Sequence, residues 1–127
     1  MVVDVVARTI GEIMIPLDTA ITCCKGNELK SLIGKNRRIY TRIPVYQGEK
    51  TNIIGIFNIK DYFYKNRIVS RKPFFIEAKE RCMKIFTTMK QKGEHMAIVV
   101  DERSMAIGLV TLEDLLEELV GEIRDEQ

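Results

Sequence analysis

The chain has 127 residues, 46% of them hydrophobic and 30% charged, which excludes a disordered tail and fits one ordinary domain or two very small ones sharing a core. No apolar run approaches the ~18 residues that a membrane helix needs, and the opening MVVDVVA is broken by Asp4 and followed by Arg8 without a cleavage-site pattern, so a soluble chain is expected. Net charge is +2, yet residues 111–127 hold seven acidic residues and one basic against 11 acidic and 19 basic before them; a mildly basic body attracts phosphate-bearing ligands or simply keeps a protein in solution.

The first predicted element is a lead-in helix in RTIGEIMIP, where Thr9 and Glu12 form a capping box and Pro16 stops the helix past Met14. A short extended run, AITCC, then leads to a helix with apolar residues at Leu29, Leu32 and Ile33. Two strands follow, RIPVYQ from Arg42 and NIIGIF from Asn52, joined by Gly48, Glu49 and Lys50. A second helix closes the unit after Asn58. The three cysteines, Cys23, Cys24 and Cys82, include no Cys-x-x-Cys pair and are odd in number, which argues against a disulfide framework and for a reducing cytosol.

The second half repeats the first at an interval of 53 residues. Without a gap, Gly55 meets Gly108, Ile54 meets Ile107, Asp61 meets Asp114, and the apolar pairs Ile43 with Met96 and Val45 with Ile98 coincide. PFFIEA is the extended run, and Cys82, Ile85, Phe86 and Met89 give the helical spacing. HMAIVV and MAIGLV are the strands, joined through Asp101 to Ser104. Leu112, Leu115, Leu116, Leu119, Val120 and Ile123 line one face of a last helix whose other face is acidic. Two copies are too few for a solenoid, so an α+β pair of β-α-β-β-α units, packed about a pseudo-twofold axis, is expected. The division falls at 1–68, with the lead-in helix, and 69–127.

This tandem arrangement, with Gly-hydrophobic-hydrophobic-Thr-x-x-Asp opening the last helix, resembles the paired cystathionine-β-synthase-type domain, the CBS pair or Bateman module. IGEIMIP, TRIPVY, NIIGI, HMAIVVDE and GLVTLEDLLEELVGEIRDE are similar to the CBS pair of the CorC/HlyC family of hemolysin-like and magnesium/cobalt efflux proteins, related to the cyclin-M-type transporters. The resemblance covers residues 8 to 126. It implies a cytosolic regulatory module on the inner side of the plasma membrane, attached to a membrane domain, dimeric, and binding an adenine nucleotide, ATP or AMP, with Mg²⁺ arriving on the phosphates.

Taken alone, Thr111 three residues before Asp114 is an ordinary N-cap, worth about 1 kcal/mol. The same helix start also offers backbone N–H groups and a hydroxyl to a phosphate. The resemblance implies that Thr111 contacts phosphate, that Asp114 accepts both ribose hydroxyls, that Arg42 meets the phosphates, and that Ile15, Ile43 and Pro44 wall the base. A carboxylate suits a diol because it accepts two O–H bonds at once. Arg42 is otherwise a solvated edge charge. A weaker second site would use Asn58, Asp61 and His95, with Asn58 in place of the hydroxyl and His95 matching Arg42.

Other functions find less support. His95 is the single histidine and has no ligand at metal spacing, so no metal site is expected. GNELKSLIGK has the wrong spacing for a phosphate-cradling loop, and the basic cluster at 35–38 is short for nucleic acid. No nucleophile-base constellation suggests an enzyme. Arg103, Ser104 and Met105 stand where relatives tend to have glycines, which bears on ligand identity. The competing reading is a structural dimerisation module without a functional ligand.

Overall fold

The computed structural model describes residues 8–25, 41–65 and 70–125; the expected helix through Leu29, Leu32 and Ile33 and the 35–38 cluster lie outside the described residues. The capping box at Thr9 forms. The carboxylate of Glu12 accepts the Thr9 N–H at 3.2 Å and its hydroxyl at 3.0 Å, and these bonds hold the Glu12 carboxyl below its ordinary value. They start a one-turn helix, α1 (Ile10–Ile13), which Pro16 prevents from continuing. The chain then extends into β1 (Ile15–Pro16), turns through Leu17–Thr19, and enters β2 (Cys23–Cys24).

Next come β3 (Arg42–Gln47), β4 (Glu49–Asn58), the seven-residue α2 (Ile59–Lys65) and β5 (Ser70–Arg71). The second repeat supplies β6 (Phe75–Glu77), α3 (Cys82–Lys92), β7 (Met96–Val100), β8 (Ala106–Thr111) and α4 (Leu112–Asp125). The helix α3 ends at Gly93 in the left-handed conformation, φ 71°, and the N–H of Glu94 closes back on the carbonyl of Met89 at 2.9 Å.

Among the described residues there are two four-stranded sheets of identical plan, ordered β1-β8-β7-β6 and β5-β4-β3-β2. In each, the inner pair is an antiparallel hairpin and one outer strand runs parallel to its neighbour. The remaining edge is a two-residue antiparallel strand, β1 on β8 and β5 on β4. Each sheet anchors its own compact unit, one comprising residues through Ala20 together with Phe74 onward, the other Ile21 to Pro73. The lead-in segment, grouped with the first repeat by the 1–68 division, therefore packs with the second. The reason is burial: Ile10 is fully buried in the core of Ile76, Cys82, Ile85, Met89, Ala97, Val99, Val110, Leu115 and Leu119. Backbone bonds from Ile10 to Glu80 and from Gly11 to Ala78, both 2.8 Å, fix it there, and the guanidinium of Arg8 bonds Glu118 on α4.

The other unit's core gathers Cys23, Ile43, Val45, Phe57 and Ile59. Strand alternation then puts Pro44 and Ile56 on the opposite face of that sheet, and Ile98 and Leu109 on the opposite face of the first; all four are buried as well. Both sheets are thus apolar on two faces.

A close approach lets each edge strand in. A Cβ on Gly108 would lie 2.7 Å from the carbonyl oxygen of Ile15 and 2.7 Å from the sulfur of Met14, and one on Gly55 would collide with the Ser70 hydroxyl. Gly108 is therefore required for backbone clearance, and Gly55 for clearance of the Ser70 side chain. Gly108→Val should displace β1 and cost about 1–3 kcal/mol in urea unfolding, as overpacked interiors do. A loss under half that range would show that β1 does not depend on this contact.

Candidate functional site

Thr111 ends β8 and opens α4. Its Oγ accepts the N–H of Asp114 at 3.1 Å, the cap expected of threonine at a helix start, and the N–H of Leu112 donates to the carbonyl of His95 at 3.0 Å. Both Thr111 and Asp114 are half-buried. Among the described residues the Asp114 carboxylate has no hydrogen-bond or ion-pair partner. The fourteen-residue helix behind it presents the positive end of its dipole.

Ile15 joins this group through the sheet. It pairs with Leu109, and because paired residues share a face and Thr111 lies two positions beyond Leu109, Ile15 and Thr111 project from the same side of the sheet. That side is opposite the unit's helices. Ile15 is 37% exposed there, apolar and available.

The first repeat repeats this local plan with different chemistry. Asn58 ends β4 and its Oδ1 accepts the N–H of Lys60 at 2.9 Å, so it caps α2 as the asparagine predicts. The N–H of Ile59 donates to the carbonyl of Thr41 at 2.9 Å. Arg42 pairs with Asn58, is half-buried, and with Pro44 lies on the face away from the unit's helices. Among the described residues Arg42 makes no ion pair. Ile43 points the other way: its side chain is 4% exposed in the unit's own core with Val45 and Phe57, which withdraws it from the expected wall. Asp61 is 6% exposed, and its two oxygens accept the Nε and Nη2 hydrogens of Arg71, both at 2.9 Å.

The gapless superposition also needs one correction. Cys23 pairs with Val45 and Ile76 with Val99, whereas Arg42 pairs with Asn58 and Met96 with Thr111. The inner strands β3 and β7 are therefore related by 54 residues, while the strands on either side keep 53. Met96, not His95, stands where Arg42 stands. His95 corresponds to Thr41, and both use their carbonyl to receive the first helical N–H. His95 is exposed.

Among the described residues no three His, Cys, Asp or Glu side chains gather to hold a metal ion. A cavity of about 210 Å³ opens at the far end of the first sheet, lined by Glu77, Lys79, Val100, Asp101 and Ile107 among others; it contains none of the expected residues.

A family model described as the CBS domain matches residues 65–121. Hemolysin C of Brachyspira hyodysenteriae is 30% identical over 98% of this chain and 49% of its own length, and the magnesium and cobalt efflux protein CorC of Vibrio cholerae is 32% identical over 98% and 46%. The solved CBS domain of a bacterial CNNM/CorC family Mg²⁺ transporter, in complex with ATP, superposes with a TM-score of 0.82 at 30% identity, covering 94% of this chain and 92% of that one. The chain belongs to the CBS-domain family.

It is a CBS module of mixed α+β fold related to the CorC/CNNM transporters, and it spans about half the length of the curated relatives it matches. No helix among the described residues is long and apolar enough to cross a membrane. The apolar stripe of the last helix divides in two: Leu115 and Leu119 are buried within their own unit and Leu112 packs against its core, while Leu116 and Val120 are 50% and 41% exposed. On α2, Phe63 and Tyr64 are exposed too, at 66% and 88%. Ile123's side chain lies outside the described residues. Sequence reasoning missed Arg71, whose partner ten positions earlier depends on a chain reversal that no periodicity signals.

Proposed function

We propose that this CBS module binds an adenine nucleotide, ATP or AMP, through the start of α4, and that occupancy regulates an attached membrane ion transporter. The supporting observation is the half-buried Asp114 carboxylate, without a protein partner among the described residues, beside a capped helix N-terminus and an exposed apolar Ile15. Backbone N–H groups and the Thr111 hydroxyl suit phosphate, the carboxylate suits a ribose diol, and Ile15 suits the face of a base. The ATP complex of the 30% identical relative agrees with that chemistry. The family resemblance adds Arg42 for phosphate and Pro44 for the base. Mg²⁺ would be carried by the phosphates, since divalent magnesium is commonly held by substrate phosphates with few protein ligands. The reading is of a sensor on the cytosolic side of the membrane, and of a non-catalytic one.

A homodimer is part of the proposal, on the exposed Leu116 and Val120 of α4 and the exposed Phe63 and Tyr64 of α2. Sedimentation at micromolar concentration should give twice the chain mass. A monomer throughout the range would remove that element.

Substitution separates ligand binding from capping. Thr111→Ala should cost about 1 kcal/mol of stability without ligand, and Thr111→Ser much less. Asp114→Asn should barely move the melting temperature of the unliganded chain yet weaken ATP binding by ~1.5–3 kcal/mol, the worth of a charge-assisted bond. Arg42→Ala should weaken it with a shallower dependence on salt than wild type, because a phosphate contact has been lost. Intact affinity in both variants, or no thermal shift with any adenine nucleotide, would favour a structural dimerisation module instead.

A further inference from the structure

Each sheet has one two-residue edge strand crossing its hairpin, and the two crossings occupy matching places. Ile15 pairs with Leu109, and Arg71 pairs with Ile56, which is Leu109 less the repeat of 53. Arg71 therefore stands in the first repeat where Ile15 stands in the second. Asp61 likewise matches Asp114. In one unit the crossing residue is apolar and the carboxylate has no partner among the described residues; in the other the crossing residue is a guanidinium bound to that carboxylate through two bonds of 2.9 Å.

The two arrangements compete for the same edge of the carboxylate. A vicinal diol and a guanidinium edge each present two hydrogen-bond donors to one carboxylate. Asp61 is 6% exposed, whereas the Arg71 side chain that reaches it is 62% exposed. We propose that Arg71 closes the second nucleotide site by occupying, on Asp61, the acceptors that a ribose diol would use, and that this contact limits the module to one nucleotide per chain. The ligand class is taken from the reading of Thr111 and Asp114, and the closure rests on the geometry of Arg71.

The test is calorimetric titration of the 127-residue chain with ATP and Mg²⁺, for wild type, Arg71→Ala, Asp114→Asn and the double variant. Wild type should bind one ATP and Arg71→Ala two. Asp114→Asn should bind at least tenfold more weakly, and the double variant should regain one site, which 2′,3′-dideoxy-ATP, lacking the diol, fails to fill. An unchanged number of sites on Arg71→Ala, in both backgrounds, overturns the closure while leaving the Thr111 site standing. If wild type binds no ATP the Thr111 reading falls; a site gained on Arg71→Ala still supports closure, and none gained overturns it too. Should loss of the guanidinium beside buried Asp61 unfold Arg71→Ala, Arg71→Lys keeps the charge but gives up the two-pronged contact. That variant should show a second site at least tenfold weaker than the first; one site only overturns the proposal.

Discussion

Everything in the second repeat's unit depends on the missing side chain at Gly108. Because β8 carries no Cβ there, the carbonyl oxygen of Ile15 and the sulfur of Met14 approach to 2.7 Å from where that atom would be. That contact secures β1, and β1 secures the lead-in turn, whose Ile10 completes the core. It also sets Ile15 on the sheet face that Thr111 shares. A residue early in the chain thus meets the start of the last helix because one position has nothing in the way. The same clearance at Gly55 admits Ser70 and Arg71.

That symmetry makes the divergence of the two repeats legible as chemistry. Both hairpins end in a polar cap, Thr111 or Asn58, both hand the first helical N–H to a backbone carbonyl, and both place an aspartate in the first turn. One aspartate is satisfied by its own chain. The other has no partner among the described residues, and a half-buried carboxylate of this kind marks a place where a ligand's donors are worth more than in open water. The backbone plan is duplicated and the side chains at the matching places differ.

The fold was legible because the repeat, the apolar periodicity and the punctuating Pro16, Gly55 and Gly108 are local signals that agree with one another. The cap at Thr111 was legible for the same reason. What sequence could not supply was register. A gapless match placed His95 with Arg42, but an extra residue ahead of β7 moves that strand by one position, and a one-residue slip turns every side chain to the other face. Ile43 was misassigned by a related limit: strand residues alternate, so of the neighbours Ile43 and Pro44 only one faces away from the helices. Membership of the lead-in helix and the Arg71 contact both depend on where the chain returns in space. Neither is written in spacing.

The central claim is that the start of α4 is a ligand site as well as a capped helix. Amide NMR of the chain titrated with ATP and Mg²⁺ addresses it residue by residue. The account predicts saturable shifts, with one common affinity, concentrated at Thr111 through Asp114 and at Ile15, with Asn58 to Asp61 nearly unmoved. Shifts that are absent at millimolar ATP, or that saturate only around Glu77, Val100 and Asp101 at the far end of the sheet, would contradict it.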